Sequence, residues 1–593
     1  MASQESQFHH DELASAMDKV HEEEHEPHIA KVEKVVQMLS ALPNSYKARE
    51  LATGYLIKKL WYQLDHPPRD LLGHGPDSVI TIDSDSRYRS ANGSNNNPNN
   101  PSLGAAGSRY ARTTQARRPK LAQPPDPADV FDKLLLRTGP PRTHPNDVFH
   151  TDERDQTRAK GSSYLDLAPL YGHDQVSQDT VREFKDGLLK KDTFAEYRLL
   201  GQPPGVCAFI VAFNRFHNHV VVELARINEG GRFSLPRGLV SGSDAELAAL
   251  KTRDNDSFQH GRLITCGLYV NIILHDYIRA ILNLNQNTSN VESDWSLDPR
   301  LDFPHLNVPK AVGNQVSVEF NLVYRWHATI NTANENWTNN FMREVFGETY
   351  NPKTLSAGDF MLGARRWAEG ILLVEPSQRT FGGIERLSNG AFADDSLINI
   401  LNHTTESPAA AFGAKSTPLL MRPIEILGIE TQRQWGVATL NEVREKFNLT
   451  PHKTFQLYPE PDDIEFYPGI QAEETKKPWF PGSGLCPGVT ISVAILADAV
   501  ALCRGDRFYT TDYTPDNLTE WGFHIASSSF GKVQGGVLYK LLETAFPGRY
   551  KDNSVWSLYP LTIPEKNREI LSKHKVVEQF DFEKPQLRKQ YFD

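Results

Sequence analysis

The sequence predicts a mainly α-helical protein organised around one large domain. Long apolar segments at helical spacing run over Val206–Ile227, Phe258–Leu284 and Val318–Ile330, and stretches with the two-residue alternation of strands are few. Hydrophobic residues make up 39% and aromatic residues 10% of the 593 positions, enough to fill a sizeable core.

In chain order, residues 1–79 are expected to form a helical extension and a loop, with Ile29, Val32, Val35, Val36 and Leu39 at helical spacing. Residues 80–563 form the expected main domain, and residues 564–593 a charged tail. Within the domain, Asn92–Asn100 is polar and Asn-rich and Arg118–Pro145 is Pro-rich, so both read as extended loop. No internal repeat is present.

Bulk properties exclude several functions. A net charge of −10, without any Lys/Arg cluster interleaved with aromatics, argues against nucleic-acid binding. Cys207, Cys266, Cys486 and Cys503 lack CxxC spacing, which argues against a disulfide framework or a thiolate zinc site and for a reducing compartment. No basic-then-apolar leader is seen, and no apolar run approaches the ~18 residues that span a bilayer. The expected location is therefore intracellular, cytoplasmic or peripherally membrane-associated, and not secreted.

Two motif matches carry little. His21-Glu22-Glu23-Glu24-His25 fits the HExxH zinc pattern, but it lies in a run of Glu and His without an apolar flank and reads as a solvated helix face. Phe480-Pro481-Gly482-Ser483-Gly484-Leu485-Cys486-Pro487-Gly488 is similar to a haem-thiolate cysteine loop, yet its first glycine and its cysteine fall one residue early. A Pro/Gly turn is the better reading.

The informative segment is Glu319-Phe320-Asn321-Leu322-Val323-Tyr324-Arg325-Trp326-His327. On a helix, Tyr324 and His327 would share a face with Cβ atoms about 5–6 Å apart. A neutral imidazole is a common axial ligand of haem iron, and a phenol beside it can be oxidised to a neutral radical. Taken bare, a buried Tyr and His with ordinary hydrogen bonds remain the commoner arrangement.

The whole string resembles the proximal helix of the cyclooxygenase-like animal haem peroxidases, and in particular the fungal linoleate diol synthases, also called psi-factor-producing oxygenases. Further segments fall in that family's order: Tyr88-Arg89-Ser90-Ala91-Asn92-Gly93, Ser162-Ser163-Tyr164-Leu165-Asp166, Phe184-Lys185-Asp186-Gly187 and Asn214-Arg215-Phe216-His217-Asn218. The helix over Asn255–Tyr277 is similar to the one that precedes the proximal helix. The resemblance implies a helical haem peroxidase fold, haem b held by His327 as axial ligand to the iron, and a catalytic radical on Tyr324. It implies that oxidised Tyr324 takes hydrogen from an allylic carbon of a polyunsaturated acid such as linoleate, that O2 adds, and that the peroxyl product recovers hydrogen from Tyr324. His217, despite its motif, is expected to be a buried, hydrogen-bonded histidine and not part of iron chemistry.

The chain departs from the family on the distal side. Relatives carry an apolar helix that ends in a His-Asp pair; here His144-Pro145-Asn146 resembles its start and Asp147-Val148-Phe149-His150-Thr151-Asp152 its end. Roughly four turns look excised between them, and Asn146 stands where the distal histidine should be. If that helix buried about five apolar side chains at ~1.5–3 kcal/mol each, its loss would remove ~8–15 kcal/mol. That rivals the stability of a whole domain. His144 and His150 flank the gap, and a solvated loop position is the plainer reading of each. The alternative function is thus a haem-binding, peroxidase-like protein with impaired or no oxygenase turnover.

The resemblance also raises calcium, with Asp147, Ser162, the Tyr164 carbonyl and Asp166 as oxygen donors, although Ala168 replaces a hydroxyl and a purely structural loop is an equal alternative. The expected partners are a polyunsaturated fatty acid and O2, with peripheral membrane contact and homo-oligomer formation left open. The two-domain relatives continue into a haem-thiolate domain that makes diols; the sequence stops at Asp593, so release of hydroperoxide and not diol is expected.

Overall fold

The computed structural model describes residues 70–71, 86–117, 124–137, 161–281, 298–302, 309–455, 457–458, 460–473, 487–527, 536–573 and 575–585. The expected mainly helical architecture is what it has. Among the described residues the one sheet is a two-residue antiparallel pair, β1 (Asp70–Leu71) with β2 (Ala111–Arg112).

The core is organised by two long helices. α1 (Pro204–Ile227) starts with proline in its first turn, where no amide partner is needed, and stops at Asn228 in the left-handed conformation. Cys207, Val211, Phe213, Phe216, Val220 and Leu224 bury its apolar face. α2 (Asp244–Ile272) is capped by Ser243, whose side chain accepts from the Glu246 amide, and runs through a π-helical turn, Ile273–Tyr277, into Ile278–Ile281. The two pack together, and Gly261 sets their approach: a Cβ there would lie 2.5 Å from Val221 Cγ1 and 2.9 Å from His217 Cε1.

Around this pair lie α3 (Val318–Val323), α4 (Thr332–Phe346), α5 (Ala357–Leu372), α6 (Asp394–Glu406), α7 (Arg422–Trp435), α8 (Phe466–Ala472), α9 (Val489–Gly505) and α10 (Leu538–Ala545). α6 and α10 pack on α1, while the short α3 is enclosed by α7, α8 and α9. Nearly every residue of α9 is buried, as its continuous apolar sequence requires. The charged stretch beginning near Pro564 is docked on the domain: the helix Pro564–Lys573 buries Ile570 and Leu571, and Leu571 packs with Val555 and Trp556.

Three expectations need correction. The Pro-rich stretch Arg118–Pro145, expected as extended loop, carries a helical segment, Pro127–Val130 continuing as a π-helical turn at Phe131–Leu135, started by the Asp126 cap and held because Val130, Phe131, Leu134 and Leu135 are buried in the core. α1 is long and apolar enough to meet the composition of a membrane span, although most of it is buried in the core. The single helix expected over Val318–Ile330 is instead α3, a non-helical link at Tyr324–Trp326, and a 3-10 turn at His327–Thr329.

Candidate active site

α3 is nucleated by Ser317, whose hydroxyl accepts from the Phe320 amide at 3.0 Å and donates to Asp498 Oδ2 of α9 at 3.0 Å. Glu319 is fully enclosed and accepts from the Thr113 amide at 2.9 Å, which ties the strand region to the helix. Burial pushes the Glu319 carboxyl upward, opposed by these amide bonds. Burial, with Glu319 nearby, also holds the Asp498 carboxyl well above its ordinary value. Asn321 and Arg325 join in a 3.0 Å side-chain bond one turn apart.

The helix ends at Val323, and side chains satisfy carbonyls at and just beyond that end. The Trp326 indole donates to the Val323 carbonyl at 2.6 Å, and Gln471 of α8 donates to the Arg325 carbonyl at 2.9 Å. Tyr324 sits at this end with φ −89° and ψ 24° and is buried. Its ring stacks on Trp326, with centroids 5.3 Å apart, and touches Phe320 at 4.6 Å.

His327 begins the following 3-10 turn, and its side chain keeps 19% exposure beside buried neighbours. Its Nδ1 lies 2.8 Å from Glu425 Oε1 on α7. The fully buried Glu425 in turn accepts the Tyr467 hydroxyl of α8 at Oε2, also at 2.8 Å. With Nδ1 committed to a carboxylate, Nε2 is the ring nitrogen left to bind a metal, so the donor set suits an axial imidazole ligand. Glu425 and Tyr467 escaped the sequence reading. The signal available was weak: Glu425, Gly428 and Gln432 place an acid on the buried face of an amphipathic helix.

The other segments of interest have structural roles. His217 is fully buried, with Nε2 3.0 Å from the Gly187 carbonyl and Nδ1 2.8 Å from the Tyr171 hydroxyl. Burial lowers its pKa to about 4, so it is neutral, as expected of a hydrogen-bonded core histidine. Its neighbours pin the Phe184–Phe194 loop: Asn214 bonds the Asp192 amide and the Lys190 and Thr193 carbonyls, Asn218 bonds both backbone groups of Leu189, and Arg215 pairs with Asp192 at 2.8 Å.

Of the oxygen donors considered for calcium, Ser162 and Asp166 come together through a 2.6 Å hydrogen bond, and the Tyr164 hydroxyl donates to Leu103. Among the described residues no group of three or more His, Cys, Asp and Glu is placed to hold a metal ion. Asn146, Asp147, His144, His150, the His21–His25 motif and most of the Cys486 loop lie outside the described residues.

Comparison with known proteins adds family context. Residues 200–528 match the animal haem peroxidase family. The chain is 45% identical to psi-producing oxygenase A of Emericella nidulans over 93% of its own length and 52% of that protein's. It is 46% identical to linoleate diol synthase of Gaeumannomyces graminis over 94% of itself and 49% of that protein. The chain therefore spans about half the length of the curated relatives it matches. Among solved structures, fatty acid alpha-dioxygenase of Oryza sativa superposes with a TM-score of 0.51 at 13% identity, covering 91% of this chain and 92% of that one. The likeness extends to the fold.

Proposed function

Because this chain belongs to the animal haem peroxidase family, we propose that it converts polyunsaturated fatty acids to hydroperoxides through a radical on Tyr324, with haem held by His327. The observation that carries this reading is the pairing of two differently prepared side chains within four residues. Tyr324 is a buried phenol laid flat on Trp326, and His327 is an imidazole whose Nδ1 is fixed by a buried carboxylate. The names of the similar proteins, an oxygenase and a linoleate diol synthase, supply the substrate class.

Haem, when bound, supplies the oxidising equivalent that takes an electron from Tyr324. The phenol's proton would leave with that electron to the same oxidant, because a charged radical in a buried, apolar setting would carry a large desolvation cost. Stacking on Trp326 fixes the ring plane, so the radical oxygen faces one direction. It then takes a hydrogen atom from an allylic carbon. O2 adds to the carbon radical, and the peroxyl product regains hydrogen from Tyr324, which restores the radical. Water exclusion around Phe320, Tyr324 and Trp326 protects these intermediates.

A second reading keeps haem binding and removes oxygenase turnover. It rests on the family resemblance at Asn146-Asp147, which implies the absence of the segment that carries the distal histidine in relatives. Oxygen uptake by haem-loaded protein with linoleate tests the proposal. Uptake that produces hydroperoxide supports it, whereas a Soret band without uptake leaves the second reading.

A further inference from the structure

Glu425 is a fully buried carboxylate whose two oxygens have different partners. Oε1 accepts from His327 Nδ1 and Oε2 from the Tyr467 hydroxyl, each at 2.8 Å. An ion held this deeply needs strong compensation, and here it comes from one imidazole and one phenol. Burial and the Glu425 charge hold the Tyr467 hydroxyl well above its ordinary value, so it stays a donor.

The arrangement is built into the helix. α7 carries Glu425, Gly428 and Gln432 on one face, and a Cβ at Gly428 would lie 2.6 Å from Tyr467 Cε1 and 3.2 Å from Arg325 Nη1. Glycine at that turn is what lets the phenol ring lie against the helix and reach Glu425. Gln432 then fixes the same tyrosine by accepting its amide at 2.7 Å, and the Arg325 guanidinium lies 5.7 Å over its ring.

We infer that Glu425 and Tyr467 set how strongly His327 donates to haem iron, Glu425 increasing the donation and Tyr467 restraining it. This rests on the reading of His327 as the axial ligand. A carboxylate that accepts the Nδ1 proton draws it from the ring and makes Nε2 a stronger donor, which favours the ferric state. A second hydrogen bond, from Tyr467, spreads the carboxylate charge and weakens that pull. Both residues are positioning residues, acting through His327.

The test is a redox titration of the haem-loaded full chain, with the iron-to-histidine stretching band recorded on the ferrous protein. Glu425→Gln should favour the ferrous state by about tenfold or more, which is ~59 mV upward for a one-electron couple, and should lower the stretching frequency. Tyr467→Phe should shift both readouts in the opposite direction, by a few-fold, and Gly428→Ala should follow it because the added methyl displaces the ring. A purely structural role would not give opposite signs. Shifts in the same direction, or potentials unchanged within twofold, overturn the inference. If Glu425→Gln does not load haem, the other two variants decide alone, and an upward shift in them overturns it. His327→Ala separates the two levels: an unaltered histidine band in that variant refutes the ligand assignment itself, whereas its loss beside unmoved potentials in the other variants refutes only the inference.

Discussion

The rings of Tyr324 and Trp326 lie almost parallel, with planes 10° apart and centroids 5.3 Å apart, at the point where α3 gives way to the turn carrying His327. Tyr324→Phe keeps this stack and the ring volume, so haem binding and folding should survive. It removes the O–H that would carry the radical, so oxygenation of linoleate should fall to background. Peroxidase turnover of small donors, where present, should persist. Oxygen uptake at the parental rate in this variant would place the radical elsewhere.

His327→Ala should behave differently, because the axial ligand itself is lost. Haem occupancy, read from the Soret absorbance per protein, and every haem-dependent activity should decline together. Full occupancy with an unchanged spectrum would exclude His327 as the ligand.

The buried His217 makes stability depend on pH. Its Nε2 faces a carbonyl and must donate, which leaves Nδ1 to accept the Tyr171 hydroxyl and gives a neutral ring. Burial, with Arg182 and Arg262 adding to it, lowers its pKa to about 4, against about 6.5 in the unfolded chain. Between these values the unfolded state binds the proton and the folded state does not. The stability contribution is therefore present above pH 6.5 and is lost as pH falls toward 4, by roughly 3 kcal/mol in total. Urea midpoints at pH 7, 6 and 5 check this. In His217→Gln the slope should be shallower by about 1.4 kcal/mol per pH unit, and equal slopes in both proteins would rule the account out.

Much of this was legible locally. The apolar spacing of α1 and of α2 from Phe258 onward, and the nine-residue Glu319–His327 string, each lie within one contiguous stretch, where side-chain periodicity and motif order are enough; the polar first half of α2, from Asp244, carries no such spacing. The helix break at Tyr324 was not legible, because the contacts that hold the non-helical link include one from Gln471, whose amide reaches the Arg325 carbonyl from 146 residues away in sequence. Glu425 lies 98 residues from His327 and was missed for the same reason. Asn214 and Asn218 were recognised as a motif, but only the fold shows that they hold the Phe184–Phe194 loop by its backbone.

The segment around Tyr88–Asn97 gives the clearest stability test. Arg89 Nη2 pairs with Asp506 Oδ2 at 2.7 Å, with side-chain exposures of 4% and 2%. The other Asp506 oxygen accepts from Asn96 at 3.1 Å and the Phe508 amide at 3.0 Å, and the Arg89 guanidinium lies 5.0 Å over the Phe508 ring. Burial alone would lower the Arg89 pKa, but the Asp506 charge and hydrogen bond, together with the charges of Cys266 and Asp166, outweigh it and raise the pKa above its ordinary value. Removing one partner leaves the other charged and stranded in the core. Arg89→Met should therefore cost about 3–5 kcal/mol, seen as a lower denaturant midpoint at an unchanged m-value. The double variant Arg89→Met with Asp506→Leu should cost less than the two single changes added together, since no unpaired charge remains. A loss under ~1 kcal/mol in Arg89→Met, the range of an exposed pair, would show that this contact does not anchor the segment.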